Sequence, residues 1–346
     1  MLSKENYTLE HIMRLRENNR KDPSLLERVM YAFGLLEAIA KVGMPFIFKG
    51  GTCLMLLTEQ PKRLSTDIDI LVEPGTDIEF YIAEASKIFP FRRYEEQTRI
   101  GKNRIEKRHF KFIYDSPIQR GEFYILLDVV FAKSPYIQTI QTEIKNELLI
   151  VENEKVLVTV PTADCILGDK LTAFAPHTTG IHFGINKELE IMKQLYDVAM
   201  LTDVMTNQEN TFQTYCKAVK EETAYRGISS TWEEVLNDTI SSAACIIGKG
   251  ALQSEEYPLY IKGIRSLDSH VLGAKYSGEI AAHHACKVMY LAACLLTGQE
   301  YQRIEHPEAY IDASIAKTKY KKLAYIRKQK LEAYGYLVEA VRLLDA

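Results

Sequence analysis

The stretch FIFKGGTCLMLLTEQPKRLSTDIDILVE, Phe46 to Glu73, constrains the fold more than any other part of the chain. Its period changes twice. Phe46-Ile47-Phe48 reads as a short strand, Gly50-Gly51-Thr52 as a turn, Thr52 to Leu57 as an apolar helix, and Ile68 to Val72 as a second strand closed by Glu73-Pro74-Gly75. Two aspartates, Asp67 and Asp69, enter that otherwise buried run. Successive strand side chains face opposite ways, so the two carboxylates share one face while Ile68 and Ile70 enter the core. Like charges this close repel unless a cation compensates them. The cation suited to all-oxygen ligands that also meet phosphates is magnesium. A strand edge carrying solvated acids is the competing reading.

The flanks favour an anion. A turn between strand and helix presents backbone N–H groups without intrahelical partners, and the helix dipole adds positive potential there. Gly50 and Gly51 would let a phosphate approach the backbone, and Thr52 either joins that contact or caps the helix. Lys49 precedes both glycines, so the motif is not a Walker A loop. A third acid, Asp128, is the only charge in FYILLDVVF, Phe123 to Phe131. It belongs on a central strand with a specific partner, which could be a metal, an arginine or a helix cap. Asp67, Asp69 and Asp128 together would supply a two-metal phosphoryl or nucleotidyl transfer site.

Elsewhere the pattern predicts helix from Leu9 to Val42 with a break at Asp22-Pro23-Ser24, and another from Ile78 to Phe89. Further strands are expected at Arg108–Tyr114, Glu122–Phe131 and Lys155–Val160. Beyond Pro161 the periodicity is helical, at about 163–175, 187–206, 208–222, 231–247, 278–297 and 313–344. The expected fold is α/β: a catalytic domain, residues 1–160, with a mixed β-sheet flanked by helices, followed by a mostly helical domain, residues 161–346. Ile166, Lys170 and Phe174 recur every four positions, which sets Lys170 on an apolar helix stripe where it needs an anionic partner. A bound triphosphate and an ion pair with Asp197 both satisfy that need; Asp197 could instead pair with Lys193 one turn back.

A net charge of -3 excludes a protein that coats nucleic acid or anionic membrane as a whole, so such a partner must meet a local patch. Two candidates are Arg92–Lys111, with eight Arg or Lys against three Glu, and Lys317–Lys330, which interleaves cations with Tyr320 and Tyr325. Each is either a solvated face or an RNA contact. Six scattered cysteines and the histidines at 177, 182, 270, 283 and 284 show no metal-ligand spacing. The N-terminus has no apolar signal core, and the longest apolar run, Val288–Leu296, is short for a membrane span, so a reducing cytoplasm is expected.

KGGTCL, RLSTDIDIL, LLDVV, GDKL and LYDVAML, taken in order and spacing, resemble the motif series of the AbiEii-type nucleotidyltransferase toxins, relatives of the MenT toxins in the DNA polymerase beta-type superfamily. The resemblance spans about Phe46 to Leu201. It implies that Gly50, Gly51 and Thr52 hold a nucleoside triphosphate, that Arg63 and Ser65 lead into metal-binding Asp67 and Asp69, and that Asp128 is the third acid. The lysine motif falls on Lys170 and the last motif on Asp197, both with implied roles at the nucleotide. The resemblance also implies two Mg2+ ions, an NTP substrate, a tRNA or other RNA acceptor and a cognate antitoxin. One departure is Lys193-Gln194 ahead of Leu195-Tyr196-Asp197, where relatives often carry Arg-Asp. Transfer to a protein or small-molecule hydroxyl, and a non-catalytic protein holding a nucleotide or antitoxin, are the competing functions.

Overall fold

Asp22 and Pro23 separate α1 (Leu9–Asn19) from α2 (Pro23–Lys41). The Asp22 carboxylate accepts hydrogen bonds from the N–H groups of Ser24 and Leu25 at 2.8 and 3.1 Å. Pro23 takes the first helical position, where its missing N–H costs nothing. The computed structural model describes residues 1–58, 60–97, 106–152, 154–252 and 254–345. It divides into two units, Met1–Thr162 with Ser269–Ala274, and Ala163–Asp268 with Lys275–Ala346.

In the first unit, β1 (Ile47–Lys49), α3 (Gly50–Leu57), β2 (Ile68–Val72), α4 (Glu79–Ala85), β3 (Phe91–Gln97), β4 (Glu106–Ser116) and β5 (Gly121–Phe131) follow in chain order. The sheet order is β1-β2-β5-β4-β3, with β2 and β5 parallel and the other neighbours antiparallel. A separate antiparallel ladder pairs β6 (Thr139–Glu143) with β7 (Leu157–Pro161). The fold is mixed α/β, as expected.

One face of the sheet is core. Phe48, Ile68, Ile70, Phe110, Phe112, Tyr114, Ile125, Leu127 and Val129 are fully buried. Tyr114 stacks on Tyr31 of α2 at a centroid distance of 3.6 Å. The buried carboxylate of Glu27 accepts from Tyr114 Oη, Ser116 Oγ and the Ile118 N–H, so α2 is tied to the β4–β5 hairpin by a satisfied anion.

The second unit is helical: α5 (Ala163–Ala173), α6 (Glu188–Leu201), α7 (Gln208–Arg226), α8 (Trp232–Ile247), α9 (Tyr257–Leu267), α10 (Gly278–Thr297) and α11 (Leu331–Leu344). The apolar run Val288–Leu296 is part of α10, which by length and composition is apolar enough to cross a membrane; 78% of its most apolar window is buried inside the structure. It packs chiefly against α8 and α11, and also against α6.

The structure departs from the sequence pattern at three places, one an expectation corrected and two where elements went unpredicted. The helix expected at 313–344 is a tight 3-10 segment, Lys321–Lys328, followed by α11. Tyr320, Leu323 and Ile326, three apart, are all buried, which is the period of a 3-10 helix and not of an α-helix. An α-helical spacing would also stack the cations of this run against one another. Second, α9 escapes the periodicity because Pro258 and Gly263 read as breakers. Pro258 lies in the first turn, and Gly263 approaches Glu188 so closely that a Cβ would strike its carbonyl. Third, β3 and β6 are polar strands without an apolar stripe; β3 is an edge strand, where charges discourage pairing with another chain.

Candidate active site

A line of polar residues crosses all five strands of the sheet. Lys49 on β1 pairs in register with Asp69 on β2, Asp69 with Asp128 on β5, Asp128 with His109 on β4, and His109 with Gln97 on β3. All five are half-buried, whereas their neighbours Phe48, Ile68, Ile70, Leu127, Val129 and Phe110 are fully buried. The period of two therefore turns this line away from the core. Asp69 and Asp128 are direct neighbours on parallel strands, and His109 Nδ1 lies 2.5 Å from Asp128 Oδ1. The partner expected for Asp128 is thus a histidine, neither an arginine nor a helix cap.

Asp67 stands one residue before β2, continuing the alternation that leaves Ser65, Asp67 and Asp69 half-buried and Thr66 and Ile68 buried. Its side chain is 48% exposed, with Arg28 Nη2 of α2 3.6 Å from Oδ1. The Asp67 carbonyl accepts from Thr52 Oγ1 at 2.6 Å. Thr52 is therefore a brace between α3 and β2, with its side chain fully buried; the N-cap position belongs to Lys49, with no side-chain cap bond.

The two glycines are shaped around the acids. Gly50 has φ +81, a left-handed conformation that L side chains avoid, and a Cβ there would collide with the Asp69 carboxylate. A Cβ on Gly51 would stand 2.7 Å from Arg63 Nη2 and 2.8 Å from Ser65 Oγ. Arg63 is buried, donates from Nη1 to the Leu64 carbonyl at 3.2 Å, and bridges to Val271. Backbone bonds from Leu64 N to His270 O and from Leu272 N to Lys62 O hold this lead-in segment against 269–274.

Lys170 and Asp197 belong to the second unit. Lys170 Nζ lies 3.1 Å from Asp197 Oδ2 and donates to Gln194 Oε1 at 3.1 Å, all three residues being buried. Asp197 thus supplies the anionic partner that Lys170 needs on its apolar stripe. Lys193 pairs with Glu190, not with Asp197.

The basic stretch Arg92–Lys111 is laced with acids: Arg92 pairs with Asp115, Arg93 with Glu122 and Glu95, and Arg108 with Glu96 and Glu79. Arg99, Lys102 and Arg104 lie outside the described residues. In Lys317–Lys330, Lys321, Lys322, Arg327 and Lys328 are exposed, and a groove of about 620 Å³ is lined by Ser314, Lys321, Arg327, Lys328 and Tyr334.

A family model described as nucleotidyl transferase AbiEii toxin, type IV TA system, matches residues 34–273, well over half the chain. The chain belongs to the AbiEii family. Members are nucleotidyltransferase toxins of type IV toxin–antitoxin systems. Among solved structures the chain is similar to JHP933 from Helicobacter pylori, at 14% identity, with 79% of this chain and 93% of that chain covered and a TM-score of 0.41. No curated protein matches it significantly.

The AbiEii match encloses every residue named above from Gly50 to Asp197. Among those residues, motif reading overlooks His109 and leaves Gln194 without a role. The signal for His109 lay in the hairpin: counting seven residues outward from the Ser116–Gly121 closing pair brings His109 opposite Asp128. Arg28 left no signal, since a helix-borne arginine near a strand end has no spacing rule. Among the described residues no three His, Cys, Asp or Glu side chains form a ready metal cage. Magnesium at nucleotide sites is commonly held by one or two carboxylates completed by substrate phosphates and water, so adjacent Asp69 and Asp128 fit that donor pattern.

Proposed function

We propose that this AbiEii protein transfers a nucleoside monophosphate from an NTP to an acceptor hydroxyl on RNA, tRNA being the favoured class, with Mg2+ as cofactor. The observation that carries the reading is the direct pairing of Asp69 with Asp128 beside the Gly50-Gly51 turn. A pure binder gains nothing from adjacent carboxylates, whereas they suit a site for a cation and a polyphosphate.

The triphosphate would lie on the backbone N–H groups of Gly51 and Thr52, where the α3 dipole favours anions. Arg63 and Ser65, packed beside Gly51, would hold that turn and offset phosphate charge. Asp67, Asp69 and Asp128 would bind magnesium, which supplies charge neutralisation to the triphosphate when bound. Asp128 would accept the proton of the acceptor hydroxyl. The hydroxyl oxygen then bonds to the α-phosphorus as the bond to the bridging oxygen breaks, releasing pyrophosphate. Positioning and electrostatics carry most of such a reaction. Lys170 is assigned to the triphosphate from the motif order, with Asp197 and Gln194 as the partners that hold its ammonium in place.

For the acceptor, the exposed cations and groove of the 317–330 segment support RNA better than the acid-laced Arg92–Lys111 stretch does. A cognate antitoxin and a cytoplasmic setting follow from the same reading. Incubation with α-labelled NTPs and bulk RNA, followed by separation of RNA, protein and small molecules, tests the acceptor. Label on RNA supports the proposal; label on protein or a small molecule in its place replaces it with the competing transfer reaction.

A further inference from the structure

The histidine opposite Asp128 has no task in the transfer scheme above, yet its geometry is specific. His109 and Asp128 are Cα partners on antiparallel β4 and β5, and their side chains are 14% and 29% exposed. An ionised carboxylate can only accept hydrogen bonds, so the 2.5 Å contact from Nδ1 to Oδ1 requires the ring hydrogen to be on Nδ1. The terminal torsion of an aspartate is otherwise soft, and a half-open strand face does little to restrain it. On its other side His109 has Gln97 as its Cα partner, and Lys111, two residues along β4, lies over the Tyr124 ring at 4.4 Å.

We propose that His109 is the positioning residue of Asp128: its Nδ1–H occupies Oδ1 and thereby presents Oδ2 toward the side of Asp69. The pair works as an orienting shell for a carboxylate that meets a cation, and its functional consequence rests on the nucleotidyl-transfer reading. Outer-shell partners of this kind affect cation affinity and turnover by roughly 10- to 100-fold when removed. The arrangement also explains why one polar line continues past the acids to β4, where an apolar residue would have served the sheet equally well.

The test compares full-length wild type with His109→Asn, His109→Gln and His109→Ala. Asparagine sets an amide N–H near the position of Nδ1, whereas the glutamine amide reaches the position of Nε2. Mn2+ binding to the nucleotide-free protein, read by electron paramagnetic resonance, is expected to weaken roughly 10- to 100-fold in the alanine and glutamine variants, with asparagine near wild type. Wild-type Mn2+ affinity in His109→Ala, or glutamine rescuing as well as asparagine, overturns the proposal. Should alanine fail to fold, the asparagine–glutamine pair alone decides. Imidazole 15N spectra of the wild type, which need neither metal nor substrate, are expected to show the Nδ1–H form at His109; an Nε2–H form overturns the proposal even if transfer is confirmed. A wild type with the Nδ1–H form and the expected Mn2+ ranking but no transferase activity overturns the functional reading alone.

Discussion

Asp69 and Asp128 face one another across the parallel strands β2 and β5, with Gly50 closed against the first and His109 against the second. Like charges directly opposite on a sheet are destabilising, so this pair opposes folding on its own. Asp69→Asn is therefore expected to leave stability unchanged or raise it by about 0.5 kcal/mol. Urea unfolding checks this. A loss of more than about 1 kcal/mol would mean that Asp69 holds the fold together instead of serving a ligand.

Gly50→Ala should be harmful twice over. The left-handed backbone costs about 1–2 kcal/mol for an alanine, and the new Cβ displaces the Asp69 carboxylate. Expected are a lowered melting temperature and a loss of transfer larger than that instability explains. Full activity in a folded Gly50→Ala protein would show that the position of Asp69 is unimportant.

Lys170 and Asp197 form a buried pair, with side chains 10% and 2% exposed. Lys170→Met removes the ammonium beside a buried carboxylate and is expected to cost about 3–5 kcal/mol. Lys170→Met combined with Asp197→Leu should recover most of that loss, since an apolar pair suits the site. NTP affinity should fall in both variants. Stable but nucleotide-tight double variants would make the pair purely structural.

The exposed cations of the 3-10 segment give a salt test. With RNA bound there, log affinity falls with log salt by roughly 0.7 for each single-strand phosphate neutralised. Lys321→Glu with Lys322→Glu should weaken RNA binding and flatten that slope while leaving NTP binding alone. Wild-type affinity and slope in the double variant would make this a solvated face.

His177 ties the second unit together: Nδ1 contacts Asp238 at 2.6 Å and Nε2 contacts Glu256 at 2.7 Å. The Asp238 hydrogen bond, assisted by Glu256, pushes the imidazole up to about 9 from an ordinary 6.5. A raised pKa in the folded state adds stability that is full below pH 6.5 and is lost as pH rises through 9. Melting temperature should decline over that window, and His177→Phe should flatten the decline. An unchanged pH dependence in the variant would assign the titration elsewhere.

Much of this was legible in the sequence because it follows local rules. The Asp22-Pro23 break, the strand–Gly-Gly–helix unit and the lone charge of Asp128 each announce themselves within a few residues. Lys170 on an apolar stripe likewise forced the question of its partner, and the buried Asp197 and Gln194 answer it. What escaped was set at long range. Arg28 reaches Asp67 from a helix 39 positions earlier, and the lead-in to the aspartates is pinned by residues 269–274. The polar edge strand β3 and the 3-10 segment escaped because charge and a three-residue period both depart from the apolar α and β templates.

The central claim is that the Asp69–Asp128 pair supports transfer from an NTP, and pyrophosphate release tests it most directly. Wild type and Asp69→Asn would be assayed with each of the four NTPs, with and without bulk tRNA, and with and without Mg2+. Release by wild type that requires Mg2+, rises with RNA, and drops at least about 100-fold in a fully folded Asp69→Asn protein is the expected result, the scale of losing a group that stabilises transition-state charge. Release that persists in Asp69→Asn, or no release by wild type with any NTP and RNA, would contradict it.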